Sequence, residues 1–164
     1  MNCTTPNVLT PDQQTLLAAW QRHTQAEFVL RDADAALATM TEDPYLLMIA
    51  TGTACIGGAS VHEYYANHFL PAIPPDLELA SLSQTIGSDR LVEEMVVRFT
   101  HTIEMDRLLP TLRPTGRRAE FIIARSSALK TAKWRTSISI GTRRHCCPRW
   151  AFSITHSQRA APAA

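Results

Sequence analysis

Two histidines and two tyrosines stand at spacings that place them among apolar side chains. From Leu91 to Asp106 the chain alternates. Leu91, Met95, Val97, Phe99, His101, Ile103 and Met105 share one parity, while Val92, Glu94, Val96, Arg98, Thr100, Thr102, Glu104 and Asp106 share the other. Period two describes a half-buried strand, so His101 falls on its apolar face. An imidazole titrates near neutrality and suits general acid or base work there. Upstream, Val61, Tyr64, Tyr65, His68 and Phe69 recur at helical spacing on one face. Tyr64, Tyr65 or His68 could donate to a developing oxyanion. An aromatic stripe alone usually means core, and a lone inward histidine is usually a satisfied core group. Two inward histidines together favour a site. The expected site is therefore a cavity between strand and helix lined by His101, His68, Tyr64 and Tyr65, with the tyrosine that faces it left open. Glu93 shares the parity of His101 but lies near the strand's start. Glu104 and Asp106 have the opposite parity and are not expected in the pocket unless a bulge intervenes.

Other chemistries find less support. Cysteines occupy positions 3, 55, 146 and 147 without a CxxC, so neither a zinc site nor a disulfide framework follows. No metal or other cofactor is implied. The stretch TGTACIGGAS lacks both GxGxxG and a GK[ST] ending, which makes it a turn and not a phosphate cradle. Cys55 lacks the strand-turn-helix elbow of a hydrolase nucleophile. No apolar run reaches the roughly 18 residues of a membrane span, and the N-terminus has no secretory pattern. A cytoplasmic protein is the default expectation.

The elements that must position these groups are legible in order. Residues 1–9 read as a disordered lead. Thr10-Pro11-Asp12-Gln13 is a capping box with proline at the first helical position. It starts a helix to about Leu30, with Leu16, Leu17, Trp20, Thr24 and Phe28 inward and His23 beside them as a partly exposed structural residue. Asp32 caps a second helix from Ala33 to Met40. A strand follows from Tyr45 to Ile49. Ser60 and Glu63 form another capping box for a helix from Val61 to Leu70, stopped by Pro71. Leu77 to Ile86 alternates as a strand, Gly87-Ser88-Asp89 turns into the long strand, and RRAEFIIA begins the second arm of a hairpin. Helices first and an antiparallel sheet afterwards mean α+β, with 164 residues enough for one domain with a real core.

The blocks HFLPAIPPD, GSDRLVEEMVVRFTHT and PTG, in this order of elements, resemble the SnoaL-like group of the nuclear transport factor 2-like superfamily. The likeness covers about Thr10 to Ala124 and includes a subgroup sometimes called carboxymethylenebutenolidase, or dienelactone hydrolase. It implies a cone-shaped α+β barrel, N-terminal helices packed on a curved antiparallel sheet, around a hydrophobic cavity. The superfamily holds isomerases, cyclases, dehydratases and hydrolases beside noncatalytic members, so fold does not settle function. Two readings follow. One is an acid/base enzyme (isomerase, cyclase or hydrolase type) on a small apolar molecule. The other is a noncatalytic ligand-binding or dimerisation module, able to form a homodimer and associated with a dienelactone-hydrolase-type enzyme.

The charge distribution divides at this boundary. Residues 1–120 hold eight Arg and all fifteen acidic residues, a net of −7, whereas residues 121–164 hold eight Lys or Arg and no acid, a net of +8. A basic tail can bind nucleic acid, but no recognition motif accompanies this one, and neither nucleic acid nor membrane is expected as a partner. Residues 125–164 show no clear strand period. Read out of register from Ser126, the implied codons permit a turn and an alternating strand. The expectation is a reading frame changed near codon 125, an irregular basic tail, a sheet lacking its final strand, and an impaired, aggregation-prone product.

Overall fold

The computed structural model describes residues 8–49, 51–109, 111–130 and 133–142. Most of the expected lead and residues 143–164 of the tail lie outside them. Helix α1, Pro11–Gln25, starts as the capping box requires: Thr10 Oγ1 accepts from the Gln13 amide, and the Gln13 side chain accepts from the Thr10 amide. It continues as a π-helical turn, Ala26–Leu30, closed by Arg31 in the left-handed region at φ 53°. Helix α2, Ala33–Ala38, is capped by Asp32. Helix α3, Gly58–Tyr64, continues as a second π-helical turn, Tyr65–Phe69. Its N-cap is Gly57, at φ 81° and with no side-chain cap, so the capping box expected at Ser60 is not used. The helix begins three residues earlier than expected, where the Pro44 carbonyl holds the Gly57 amide.

Six strands form one sheet: β1 Met40–Met48, β2 Thr53–Ile56, β3 Glu78–Ile86, β4 Arg90–Thr100, β5 Arg118–Lys130 and β6 Lys133–Thr142. Their order is β2-β1-β6-β5-β4-β3. The sheet is mixed where an antiparallel one was expected, because β1 and β6 run parallel. Among the described residues it is open, with β2 and β3 as edges, and register shifts in the β3–β4, β1–β6 and β5–β6 pairs supply bends. The glycine-bearing stretch expected as a turn contains β2, paired to β1 from Thr53 to Ile56.

The expected parity of β4 holds. Leu91, Glu93, Met95, Val97 and Phe99 are buried, while Glu94 is exposed and Val92, Arg98 and Thr100 are intermediate. Val96 departs from the alternation and is also buried. Trp20, Tyr64 and Phe99 are buried as expected, and Phe28 and Ile103 are partly buried against the same core.

The expected loss of the final strand is corrected. Residues 125–130 extend β5, and residues 133–142 form β6 in the middle of the sheet, paired to β5 on one side and β1 on the other. The alternation in this run is split by a register shift at Ala128/Leu129: Trp134 pairs with Leu129, and beyond the shift Ser137 and Ser139 stand opposite Ser127 and Arg125 while Ile138 and Ile140 stand opposite Ser126 and Ala124. Trp134 and the two isoleucines therefore fall on opposite parities of β5, and no single period marks the strand in the sequence. Trp134 is buried, its amide bonds to the Thr39 carbonyl, and its ring meets Trp20 edge to face at 5.4 Å. Trp134→Ala is expected to cost about 3–5 kcal/mol, lowering Tm by roughly 6–20 °C. A thermal melt unchanged within two degrees or so would remove β6 from the core.

Candidate functional site

A cavity of about 150 Å³ lies between the helical layer and the sheet. Its apolar wall includes Phe28 and Phe69 from the helices, Leu46 and Met48 from β1, Val97 and Phe99 from β4, and Phe121 and Ile123 from β5. Polar side chains enter at two levels. Glu27, Tyr65 and Arg125 are nearly fully buried at the inner end, whereas His68 and Arg107 are partly or largely exposed at the mouth.

Both π-helical turns face this space. In each, the closing amide reaches back five residues: Arg31 to the Ala26 carbonyl, and Leu70 to the Tyr65 carbonyl. The extra residue per turn rotates the following side chains, a device that recurs at functional sites. Here it presents Glu27 and Phe28 from one turn and Tyr65, His68 and Phe69 from the other.

The inner end is a charged cluster. Glu27 Oε2 accepts from Arg125 Nη2 at 2.8 Å, and Oε1 accepts from the Tyr65 hydroxyl at 2.5 Å, with His23 Nε2 at 3.2 Å. The Thr39 hydroxyl donates to the Ala36 carbonyl, so its oxygen accepts from His23 Nδ1 at 2.7 Å. His23 is thus buried in this cluster, not partly exposed as expected. Burial alone would raise the Glu27 pKa, but the charges of Arg125 and His23 and the bonds from His23 and Tyr65 outweigh it and hold the carboxyl far below its usual range. Burial pushes the Tyr65 hydroxyl well above the phenol range, and the Glu27 charge adds to this. Tyr64 is raised likewise, by burial first and then by Cys55 and Asp106. Both tyrosines are therefore neutral donors near pH 7, not bases. Tyr64 currently donates to Met48 Sδ at 2.7 Å.

At the mouth, His68 Nδ1 donates to Asp106 Oδ2 at 2.8 Å. That bond fixes the tautomer and leaves Nε2 as the unprotonated nitrogen of the neutral ring, with Arg107 Nη2 3.4 Å and Glu63 Oε1 3.4 Å away. A carboxylate-oriented imidazole at a cavity entrance can take up and return a proton.

Three of the four expected site residues, His68, Tyr64 and Tyr65, line the cavity; His101 does not. Strand β4 stops at Thr100, whose amide turns to the Asp76 carboxylate at 2.9 and 3.1 Å. His101 then ties the base of the loop at 101–117. Its amide bonds to the Arg117 carbonyl, its carbonyl accepts from Thr115 and Gly116, and Nδ1 meets Thr115 Oγ1 at 3.2 Å. Parity placed it inward correctly, but the strand ended one residue too soon. Because period two ends at Thr100, the loop delivers Met105, Arg107 and Leu108 to the cavity. Asp106, like Glu104, stays outside the lining as expected, but it reaches the site through its bond to His68. Glu93 is buried outside the lining, accepting from Trp20 and Gln84.

Glu27 and Arg125 were missed. Glu27 stands four residues after His23 and seven after Trp20, on the buried stripe of α1; a carboxylate there was the available signal. Arg125 follows Phe121 and Ile123 on one parity of β5, but the expected end of the domain at Ala124 excluded it.

No protein-family model and no curated protein sequence matches the chain. Solved structures do. A protein assigned as a SnoaL-like polyketide cyclase from Jannaschia sp. CCS1 aligns over 82% of this chain and 90% of its own, with 14% identity and a TM-score of 0.66. TerC, co-crystallised with polyporic acid, aligns over 81% and 92%, with 19% identity and a TM-score of 0.56. A protein with a ketosteroid isomerase-like fold from Catenulispora acidiphila DSM 44928, in complex with trimethylamine, aligns over 80% and 86%, with 12% identity and a TM-score of 0.56. At these identities the likeness shows the fold: α+β, helices packed on a bent sheet, the arrangement expected of the cone-shaped architecture.

The Glu27 cluster makes a pH prediction. Since folding lowers this carboxyl's pKa below 4.5, its contribution to stability is complete above about pH 4.5 and is lost as pH falls toward the folded-state value. Glu27→Gln removes that part of the acid slope and, by leaving Arg125 without its anion, costs about 3–5 kcal/mol. Urea unfolding between pH 7 and pH 2.5 measures both; an identical acid slope in the two proteins would exclude Glu27 from acid unfolding.

Proposed function

We propose that this chain is a small-molecule-binding domain that performs acid/base chemistry on a small, mostly apolar molecule, with His68 as the base and Asp106 orienting it. The observation that carries the reading is an apolar cavity with a carboxylate-oriented imidazole at its mouth and one neutral phenol within, Tyr64, whose proton is held only by a thioether. A cavity near 150 Å³ accommodates a ring of about benzene size; longer molecules would project past His68 and Arg107. Tyr64 can exchange its weak bond to Met48 Sδ for one to a ligand oxygen on which charge develops. The ligands of two structural neighbours, polyporic acid with TerC and trimethylamine with the Catenulispora acidiphila protein, are small molecules and agree with this use of the fold.

A second reading keeps the binding and drops the turnover. It is favoured by His101, the sequence's first choice of base, being occupied at the base of a loop. Homodimerisation and association with a dienelactone-hydrolase-type enzyme belong to this reading, and sedimentation analysis tests the former. Ester hydrolysis by Cys55 gains nothing from its surroundings, since burial raises the thiol's pKa and lowers the thiolate fraction. A changed reading frame near codon 125 is tested separately by sequencing that codon in independent isolates. The paired β6 removes the argument that such a change must leave the sheet without its last strand.

A panel of small lactones and enones separates the two readings. If the first holds, His68→Ala lowers kcat by about 10²–10⁴-fold while ligand affinity changes little. Asp106→Asn lowers kcat less, and His101→Ala, assayed below its melting temperature, leaves kcat unchanged. Saturable binding without turnover by the intact chain would support the second reading and sink the first.

A further inference from the structure

Arg125 is only 4% exposed, yet its Nη1 has no hydrogen-bond partner among the described residues. The rest of the group is held firmly. Nη2 is bonded to Glu27, and the guanidinium carbon lies 4.5 Å from the Trp20 ring centroid and 5.6 Å from that of Phe28. Rotating away to find water would break both the ion pair and the stacking. A buried charged donor left unmade is expensive, and Arg125 lines the cavity. We propose that Arg125 Nη1 is a recognition group for a ligand, and that the ligand enters with a neutral carbonyl oxygen leading: a ketone, enone, quinone or lactone on a ring that fits the apolar wall. This rests on the cavity-binding reading above and specifies its substrate class.

The choice of a neutral carbonyl over a carboxylate follows from the charges around Arg125. Glu27 bonds to it directly, and Glu93 is its register partner on β4. Both Glu93 oxygens accept hydrogen bonds, from Trp20 and Gln84. One carboxylate is thus bonded to the guanidinium and a second stands on the neighbouring strand at the same register without an ion pair to it, and even with His23 counted as a cation these four groups carry no net positive charge. A ligand carboxylate would lose its hydration without a charge to receive it, whereas a carbonyl needs only the spare donor.

Four ring compounds of similar size test the proposal: cyclohexenone, cyclohexene, cyclohexanol and benzoate. Titrations followed by NMR give their dissociation constants for the full-length protein. Cyclohexenone is expected to bind at least about tenfold more tightly than cyclohexene, the scale of a hydrogen bond to a charged group, and more tightly than benzoate. Cyclohexanol falls between the ketone and the hydrocarbon. In the neutral pair variant Glu27→Gln/Arg125→Met the ketone's advantage over cyclohexene disappears. A readout that needs no variant is the carbonyl stretch of bound cyclohexenone, which should shift to lower frequency than in hexane. Equal affinity of ketone and hydrocarbon, an advantage that persists in the double variant, or a hexane-like carbonyl stretch overturns the role of Arg125 while leaving cavity binding intact. Tighter binding of benzoate overturns the neutral-carbonyl assignment. Failure of all four to bind overturns the cavity-binding reading itself.

Discussion

The ion pair between Glu27 and Arg125 joins the helical layer to the sheet. Removing both charges from water is costly, and their attraction repays that cost only when the remaining polar atoms are also satisfied. Glu27 meets that condition, taking Arg125 on one oxygen and Tyr65 with His23 on the other. The pair also sets the geometry of its surroundings. His23 is anchored through Thr39 to α2, Tyr65 carries the second π-helical turn, and Arg125 lies over Trp20, which bonds to Glu93 on β4. A polar network that spans so many elements is specific because misplacing any member strands a buried charge.

The two π-helical turns give that network its reach. An uninterrupted α-helix would keep advancing its stripe by 100° per residue, whereas one wide turn resets the phase. The resets occur where α1 and α3 meet the cavity, so that Glu27 and Tyr65 bond to each other while Phe28 and Phe69 pack edge to face at 6.0 Å. Ionic floor and aromatic wall thus come from the same short segments. The mouth is built differently, from a loop tied at its base by backbone bonds to His101, which brings Asp106 to His68 across 38 positions of sequence.

Local pattern determined a good deal by itself. The Thr10–Gln13 capping box, the inward parity of Leu91 to Phe99, the placement of Tyr64, Tyr65 and His68 on one helical face, and the α+β class all follow from periodicity and capping. Those signals act within a few residues, and the sequence states them directly. His101 shows their limit. Parity specifies a face only while the strand lasts, and the strand's end depended on Asp76 receiving the Thr100 amide.

Tertiary structure decided the rest. Glu27 and Arg125 are 98 residues apart, and nothing local indicates that two charges on apolar faces will neutralise each other instead of opposing burial. The place of β6 is also a global matter. Its ten residues gain stability by pairing with β5 and with β1 at once, so the strand forms without an unbroken apolar alternation of its own once both neighbours are present. Periodicity encodes which side of an element is buried; only the assembled sheet and helices fix which buried polar group meets which, because that pairing is an energy between distant segments and not a property of either.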